Sequence, residues 1–196
     1  MNVSRETEAR LEQYEDLLRH WNSRINLIAP STVSDIRQRH IEDCLQLARI
    51  CPASKGTWLD IGSGGGLPGL ILAIAKADSD LKFTLIESDQ RKATFLRTVV
   101  RELALTNCRV IAKRIEGVEP LNTDYISARA LAPLPRLMAY LDHHLSKDGQ
   151  AWLMKGQQWQ TEIEDACADW TFTCEAFPSE TQQGAAILKI SGLSHG

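Results

Sequence analysis

The sequence predicts an α/β protein whose mostly parallel sheet is doubly wound and is preceded by a helical extension. From Thr57 onward, short apolar runs typical of buried strands alternate with segments of helical periodicity. A glycine-rich loop follows the first of these strands and opens a helix. The chain has 196 residues, of which 43% are hydrophobic and 24% charged, and this suffices for one globular domain with a core.

Two helices are predicted in the N-terminal part of the chain. The first follows an N-cap at Ser4, and its apolar side chains recur at helical spacing: Leu11, Tyr14, Leu17, Leu18 and Trp21. Pro30 interrupts the pattern, and Ser31 or Thr32 can cap a second helix. That helix has the apolar stripe Val33, Ile36, Ile41, Cys44, Leu45 and Ala48. We therefore expect a helical extension over residues 1–55, packed on a single unit over residues 56–196.

The alternating region predicts five strands and four helices, joined mainly by parallel crossovers. The strands are Thr57–Ile61, Phe83–Ile86, Cys108–Ala112, Tyr125–Ala130 and Gln150–Met154. The helices are Pro68–Lys76, Gln90–Leu103, Pro135–Leu145 and Gln158–Asp169. Two further strands, Trp170–Phe177 and Ala185–Ile190, have no convincing helix between them, which predicts an antiparallel hairpin at one edge.

Charge is unevenly distributed along the chain. The net charge of −3 argues against a general nucleic-acid coat protein. The segment from Arg91 to Arg114, however, contains seven basic residues and only one acidic residue, Glu102. Such a patch is compatible with one phosphate-rich partner, and a solvated helix face explains the same charges equally well.

Several classes of protein and site are not expected. The longest apolar stretch, Gly69–Ala75, is too short to span a membrane, and Met1–Arg10 lacks the apolar run of a signal peptide, so we expect a cytoplasmic protein. The five cysteines and five histidines form no metal-ligand spacing, so we expect no metal and buried free thiols.

The strongest signal is the glycine loop within Leu59–Gly69. Its glycines at 62, 64 and 66 allow close approach of the backbone to a ligand, but Leu67 breaks the dinucleotide fingerprint G-x-G-x-x-G. Glu87 ends the second strand, where a carboxylate can accept both hydroxyls of a ribose. Asp60 precedes the loop and either steers a positively charged cofactor group or caps the loop. These features predict a nucleoside-type ligand at the ends of the first two strands.

Several segments resemble one family. Leu59–Gly69 is similar to motif I of class I S-adenosylmethionine-dependent methyltransferases, which have a Rossmann-like fold. More narrowly, the chain resembles the bacterial 16S ribosomal RNA guanine-N7 methyltransferases, also called glucose-inhibited division protein B. The segments that carry this resemblance are Tyr14–Leu18, Trp21–Asn22, Asn26–Ile28, Arg39–Leu45, Ser127–Ala130 and Lys155–Gly156. Cys44 stands where the family usually has serine.

The resemblance implies transfer of a methyl group from S-adenosylmethionine to N7 of a guanine in 16S ribosomal RNA, guanine 527 in the family's naming. S-adenosylhomocysteine is then the product of the cofactor. We expect a monomer that acts on 16S ribosomal RNA or on the small ribosomal subunit. The cofactor-binding residues implied by motif and resemblance are Asp60, Gly62, Gly64, Leu67, Glu87, Ser88, Ile115, Glu116 and Arg129. Candidate RNA contacts are Arg37, Arg39, His40, Arg91, Arg114 and Lys155.

No catalytic residue is assigned, because guanine N7 offers a lone pair and has no proton to lose. Direct displacement then needs alignment and no general base. Arg129 is a candidate for positioning, or forms a surface ion pair. Two rival functions stay open at this point. One is a methyltransferase of the same fold that acts on a small molecule or a protein; the other is a nicotinamide-dependent oxidoreductase or a non-catalytic nucleotide-binding regulator.

Overall fold

The computed structural model describes residues 4–196 and contains one seven-stranded sheet. The strands are β1 (Lys55–Ile61), β2 (Asp80–Ile86), β3 (Cys108–Ile111), β4 (Thr123–Arg129), β5 (Leu145–Lys155), β6 (Trp170–Pro178) and β7 (Ala186–His195). Their order is β3-β2-β1-β4-β5-β7-β6. The pairs among β1–β5 are parallel, whereas β7 is antiparallel to both β5 and β6. The predicted mostly parallel sheet with a C-terminal antiparallel hairpin is confirmed.

Helices cover both faces of this sheet. They are α1 (Arg5–Asn22), α2 (Glu42–Ile50), α3 (Gly69–Ala75), α4 (Gln90–Glu102), α5 (Leu134–His144) and α6 (Trp159–Ala166). Side chains alternate along β1, so that Trp58 packs with α1–α4 whereas Leu59 and Ile61 pack with α5 and α6. An apolar layer therefore covers each face of the sheet, and the ends of the strands lie between the two layers.

The N-terminal part differs from the prediction in its second helix. Ser4 caps α1 as expected, and its hydroxyl accepts a hydrogen bond from the Thr7 amide. Instead of one helix capped at Ser31 or Thr32, a 3₁₀ turn (Pro30–Asp35) and a π-helical turn (Arg37–Ile41) precede α2. The wide π turn brings Ile36 and Ile41, five residues apart and both fully buried, to the same side.

Helices α1 and α2 share a core with α3 and α4, to which Leu11, Leu18 and Leu47 contribute. The division of the chain at residue 55 stays a prediction. Cys44 and Cys51 are buried, as expected. Cys108 and Cys174 are only partly buried and Cys167 is exposed, so the expectation of buried thiols fails for these three.

Between residues 4 and 196, no helix combines the length and the hydropathy that crossing a membrane requires. The same residues contain no cluster of three or more histidine, cysteine, aspartate or glutamate side chains that could hold a metal ion.

Arg129, at the end of β4, joins the sheet to the π turn. Its guanidinium donates hydrogen bonds to the backbone oxygen of Arg39 (3.0 Å) and to Nδ1 of His40 (3.0 Å). Because arginine can only donate, Nδ1 of His40 must accept, and Nε2–H therefore donates to the Thr32 hydroxyl at 2.8 Å. That hydroxyl donates in turn to the Ala29 oxygen. One chain of hydrogen bonds thus fixes the segment before the 3₁₀ turn.

This arrangement predicts a pH-dependent stability. Desolvation, together with the charge of Arg129, lowers the pKa of His40 to about 4. Between pH 6.5 and 4 the unfolded chain therefore binds more protons at this residue than the folded chain, so stability falls as the pH falls. After a discount for partial exposure, we expect about 1–2 kcal/mol to be lost in this window.

His40→Asn should flatten this dependence, because asparagine does not titrate and its side-chain oxygen can still accept from Arg129. Urea unfolding at pH 7 and pH 4.5 measures the difference for each protein. An equal loss in the variant and the unaltered chain would show that His40 is not the titrating group.

Candidate functional site

A cavity of about 570 Å³ lies at the carboxyl ends of β1, β2 and β4. The strand order reverses between β1 and β4, and in open α/β sheets ligands bind in the crevice at this point. The volume falls within the range of roughly 300–1,000 Å³ that small-molecule sites occupy. Eight of the nine predicted cofactor-binding residues line the cavity: Gly62, Gly64, Leu67, Glu87, Ser88, Ile115, Glu116 and Arg129.

The glycine loop has a shape that a side chain would prevent. Gly62 has φ +65°, and a Cβ built there would lie 2.5 Å from Cδ1 of Leu131. At Gly64, by contrast, a Cβ would find its nearest neighbour at 3.8 Å, although φ is +52°. Gly62 is therefore required by close packing across the loop, whereas Gly64 is required by backbone conformation alone.

Both carboxylate oxygens of Glu87 are fixed by backbone amides at the cavity. Its Oε2 accepts a hydrogen bond from the Gly64 amide, and its Oε1 accepts one from the Asp89 amide, each at 2.8 Å. The residue is only 7% exposed, yet it lines the cavity. Since an ionised carboxylate has about four lone-pair sites, each oxygen keeps capacity for one more donor. Glu87 can therefore receive a pair of ligand hydroxyls without moving.

Asp60 does not line the cavity, in contrast to the expectation of a direct contact. It is fully buried, and its Oδ1 accepts from the Ser127 hydroxyl at 2.6 Å. Burial raises the pKa of this carboxyl to about 6, and the hydrogen bond from Ser127 opposes the rise. The alternation of β1 turns Asp60 toward α3, where a Cβ on Gly69 would lie 2.7 Å from its Cβ.

Tyr14 supports the loop from the N-terminal helix, and the sequence pattern places it only on an apolar stripe. Its hydroxyl donates to the Gly65 oxygen at 2.7 Å, and burial raises the pKa of the phenol well above its usual value. Tyr14 therefore stays protonated and can act as a donor. The role of Tyr14 could have been suspected from the sequence, because Tyr14 lies in Tyr14–Leu18, one of the segments that resemble the family.

The N-terminal segment also provides one wall of the cavity, which sequence reasoning missed. Leu27, Ile28 and Ala29 line it. The amides of Leu27 and Ile28 donate to Oδ1 of Asn22, at 2.9 and 3.0 Å, and this fixes the path of the chain after α1. Asn22 also lies in a segment that resembles the family. Its hydrogen bonds to amides five and six residues later follow no local sequence pattern that would have predicted them.

Ser88, Ile115 and Glu116 also line the cavity. Oε1 of Glu116 accepts from the Tyr140 hydroxyl at 2.6 Å, and this hydrogen bond lowers the pKa of the carboxyl. Ile115 is 8% exposed and presents an apolar surface beside it. A planar aromatic base would find both an apolar face and an acceptor here.

The predicted RNA contacts are not all brought together. Only His40 and Arg114 of the individually predicted contacts line the cavity. Lys92 and Lys113 of the predicted basic patch also line it, together with Arg136, which was not predicted. Arg91 is 74% exposed and lies near its helix cap, Asp89. Arg39 is exposed outside the cavity.

Two predicted RNA contacts are engaged within the protein. Arg37 forms ion pairs with Glu8 and Glu42. Lys155 is 8% exposed, donates to the Ala132 oxygen, and pairs with Glu162. Neither cation is free for phosphate, because each is already neutralised by an acid that the local sequence pattern did not reveal.

Comparison with known proteins gives a family match over most of the chain. The family model described as rRNA small subunit methyltransferase G matches residues 7–186. A protein of Paracoccus denitrificans named ribosomal RNA small subunit methyltransferase G is 54% identical over 195 residues and covers 100% of both chains. A protein of the same name from Gluconobacter oxydans is 50% identical over 96% of this chain and 95% of its own.

Solved structures support the fold at low identity. A ribosomal protein L11 methylase from Lactobacillus delbrueckii subsp. bulgaricus has a TM-score of 0.61 at 19% identity, with 78% of each chain covered. A SAM-dependent methyltransferase from Aquifex aeolicus has a TM-score of 0.59 at 14% identity, covering 91% of this chain and 97% of its own. These structures show the fold, whereas the family-model match and the full-length identity to the Paracoccus denitrificans protein show that the chain belongs to the ribosomal RNA small subunit methyltransferase G family, the family of glucose-inhibited division protein B.

Proposed function

We propose that this protein transfers a methyl group from S-adenosylmethionine to N7 of a guanine in small-subunit ribosomal RNA. The observation that carries the proposal is the full-length identity of 54% to a protein named for that class of substrate. Membership of the same family supports the cytoplasm as its location. Of the two rival functions, a nicotinamide-dependent oxidoreductase is not supported, because Leu67 stands where the dinucleotide loop needs its last glycine. A methyltransferase acting on a small molecule or a protein is disfavoured by the name of the relatives, which gives ribosomal RNA as their substrate.

The cavity fits the cofactor in three respects. The Glu87 carboxylate, with both oxygens fixed by backbone amides, suits the two hydroxyls of a ribose. Ile115 and Glu116 suit an adenine base, with an apolar surface and an acceptor. The loop bends at Gly62, where the absence of a side chain lets the backbone pack closely against Leu131 at the edge of the cavity. Asp60 is buried below this loop: its carboxylate accepts from Ser127 of β4, and its backbone oxygen accepts from the hydroxyl of Ser63 in the loop.

The chemistry requires little of the protein beyond alignment. When bound, the cofactor supplies an electrophilic methyl group on a sulfonium centre. Guanine N7 has a lone pair and no proton, so no side chain needs to remove one. The residues of this chain hold the two reactants in line and exclude water, and such positioning can contribute roughly 7–11 kcal/mol. This accounts for a site in which Arg129 orients neighbouring groups and no nucleophile–base pair is needed.

Phosphate contacts come from the basic side chains at the cavity rim. Within residues 4–196 the structure records no ion pair for Lys92, Lys113 or Arg114, so their charges are available. We assign RNA binding to this group, and Arg91 extends it along α4. A monomer acting on RNA or on the assembled small subunit is the form we propose.

Glu87→Gln should weaken S-adenosylmethionine binding at least about tenfold, because a charge-assisted hydrogen bond contributes about 1.5–3 kcal/mol. Isothermal calorimetry measures the affinity. Glu102→Gln, at the exposed far end of the same helix–strand unit, is the matched control and should bind like the unaltered protein. Equal affinity of the Glu87 variant would place the ribose elsewhere.

The reaction is tested with radiolabelled S-adenosylmethionine and small subunits from cells that lack the enzyme. Digestion of the RNA to nucleosides should release the label as 7-methylguanosine. Label in another nucleoside, or in a ribosomal protein, would contradict the proposed function.

A further inference from the structure

One helix holds the part of the cavity that is lined by Ile115 and Glu116. On α5, Nε2 of His143 lies 3.0 Å from the backbone oxygen of Val118, and Nε2 of the buried His144 lies 3.4 Å from that of Ile115. Because a carbonyl oxygen can only accept, each imidazole donates through Nε2–H. The backbone before and after Glu116 is therefore fixed by α5.

Tyr140, on the same helix, fixes the side chain of Glu116. Its hydroxyl lies 2.6 Å from Oε1 of Glu116 and 3.2 Å from Nε of Arg136. Since arginine can only donate, the phenol oxygen accepts from Arg136 and donates its one proton to the carboxylate. The guanidinium of Arg136 also lies over the Tyr140 ring, 6.0 Å from its centre. All three residues line the cavity, so this chain of hydrogen bonds ends on a carboxylate that a ligand can reach.

The contacts of Glu116 leave one carboxylate oxygen available. The hydrogen bond from Tyr140 and the ion pair with Arg136, at 4.0 Å, both involve Oε1. Among residues 4–196, no other residue forms a hydrogen bond or an ion pair with Oε2. The Glu116 side chain is 56% exposed, so the carboxylate would be free to turn into solvent if Tyr140 did not hold it. Arg136 holds it only weakly, because exposed ion pairs contribute little and its own side chain is 69% exposed.

We propose that Tyr140 is a positioning residue that makes the donor site selective for adenine. This inference rests on the proposed function, in which the adenine of S-adenosylmethionine lies beside Ile115 and Glu116. Adenine carries an amino group at C6, and a carboxylate suits it as an acceptor. Hypoxanthine carries a carbonyl oxygen at the same place, which the carboxylate would repel. Tyr140 acts through Glu116 and needs no contact of its own with the cofactor.

Selectivity of this kind depends on a carboxylate that stays in place. A carboxylate that can turn away loses its attraction for the amino group, and it also stops repelling the carbonyl oxygen. A group that is fixed before the ligand arrives loses less conformational freedom on binding. Removal of the Tyr140 hydroxyl should therefore weaken the binding of the adenine compound and reduce the penalty against the hypoxanthine compound.

The test compares S-adenosylhomocysteine with S-inosylhomocysteine, which has hypoxanthine in place of adenine, by isothermal calorimetry. We expect the unaltered protein to prefer the adenine compound at least about tenfold, as a charge-assisted hydrogen bond provides. In Tyr140→Phe, which keeps the packing of the ring, this ratio should fall at least about fivefold. Tyr125→Phe removes the same hydroxyl from a half-buried tyrosine outside the cavity, and it should keep the original ratio.

A double-variant experiment separates positioning from support of the fold. Glu116→Ala should by itself bring the ratio close to one, because it removes the acceptor. Addition of Tyr140→Phe to this variant should then change neither affinity, since Tyr140 acts through Glu116. A tyrosine that only supported the fold would lower both affinities again.

The inference alone is overturned if the unaltered protein binds the two compounds equally, or if Tyr140→Phe keeps the original ratio. It is also overturned if Tyr140→Phe lowers both affinities in protein that already carries Glu116→Ala. If the unaltered protein binds neither compound, the proposed function fails and the inference fails with it.

Discussion

The site depends on one carboxylate that ties two strand ends together. Glu87 ends β2, and its Oε2 accepts from Gly64, in the loop that follows β1. The loop reaches that carboxylate only because Gly62 turns against Leu131 without a side chain between them. The acid that ends β2 and the glycine loop that follows β1 therefore hold each other in place at the cavity.

The N-terminal helices complete the cavity and do more than cover the sheet. Tyr14 holds the glycine loop through the oxygen of Gly65, and Asn22 fixes the chain where Leu27 and Ile28 form a wall. Arg129 then connects the end of β4 to the π turn. Two hydrogen-bonded links, from Tyr14 to the glycine loop and from Arg129 to the π turn, therefore join the helical part to the ends of the strands. This accounts for segments that resemble the family in both parts of the chain.

Local patterns predicted most of the fold, because a buried strand or an amphipathic helix leaves its own period in the sequence. The strands, the Ser4 cap and the closing hairpin are examples. The π turn was missed because the spacing of Ile36 and Ile41 fits no ordinary helix. Within the site, Gly62 and Glu87 were predictable from motif spacing, whereas the hydrogen bond of Tyr14 and the ion pair of Lys155 join residues far apart in sequence or in different elements.

A nucleoside-bearing methyl donor should bind against the bend after β1 with its sugar on Glu87. A crystal structure of the protein with S-adenosylhomocysteine measures this placement. We expect both ribose hydroxyls within hydrogen-bond distance of the Glu87 carboxylate and the adenine beside Ile115. Ribose hydroxyls bonded to other residues, or a ligand outside this cavity, would contradict it.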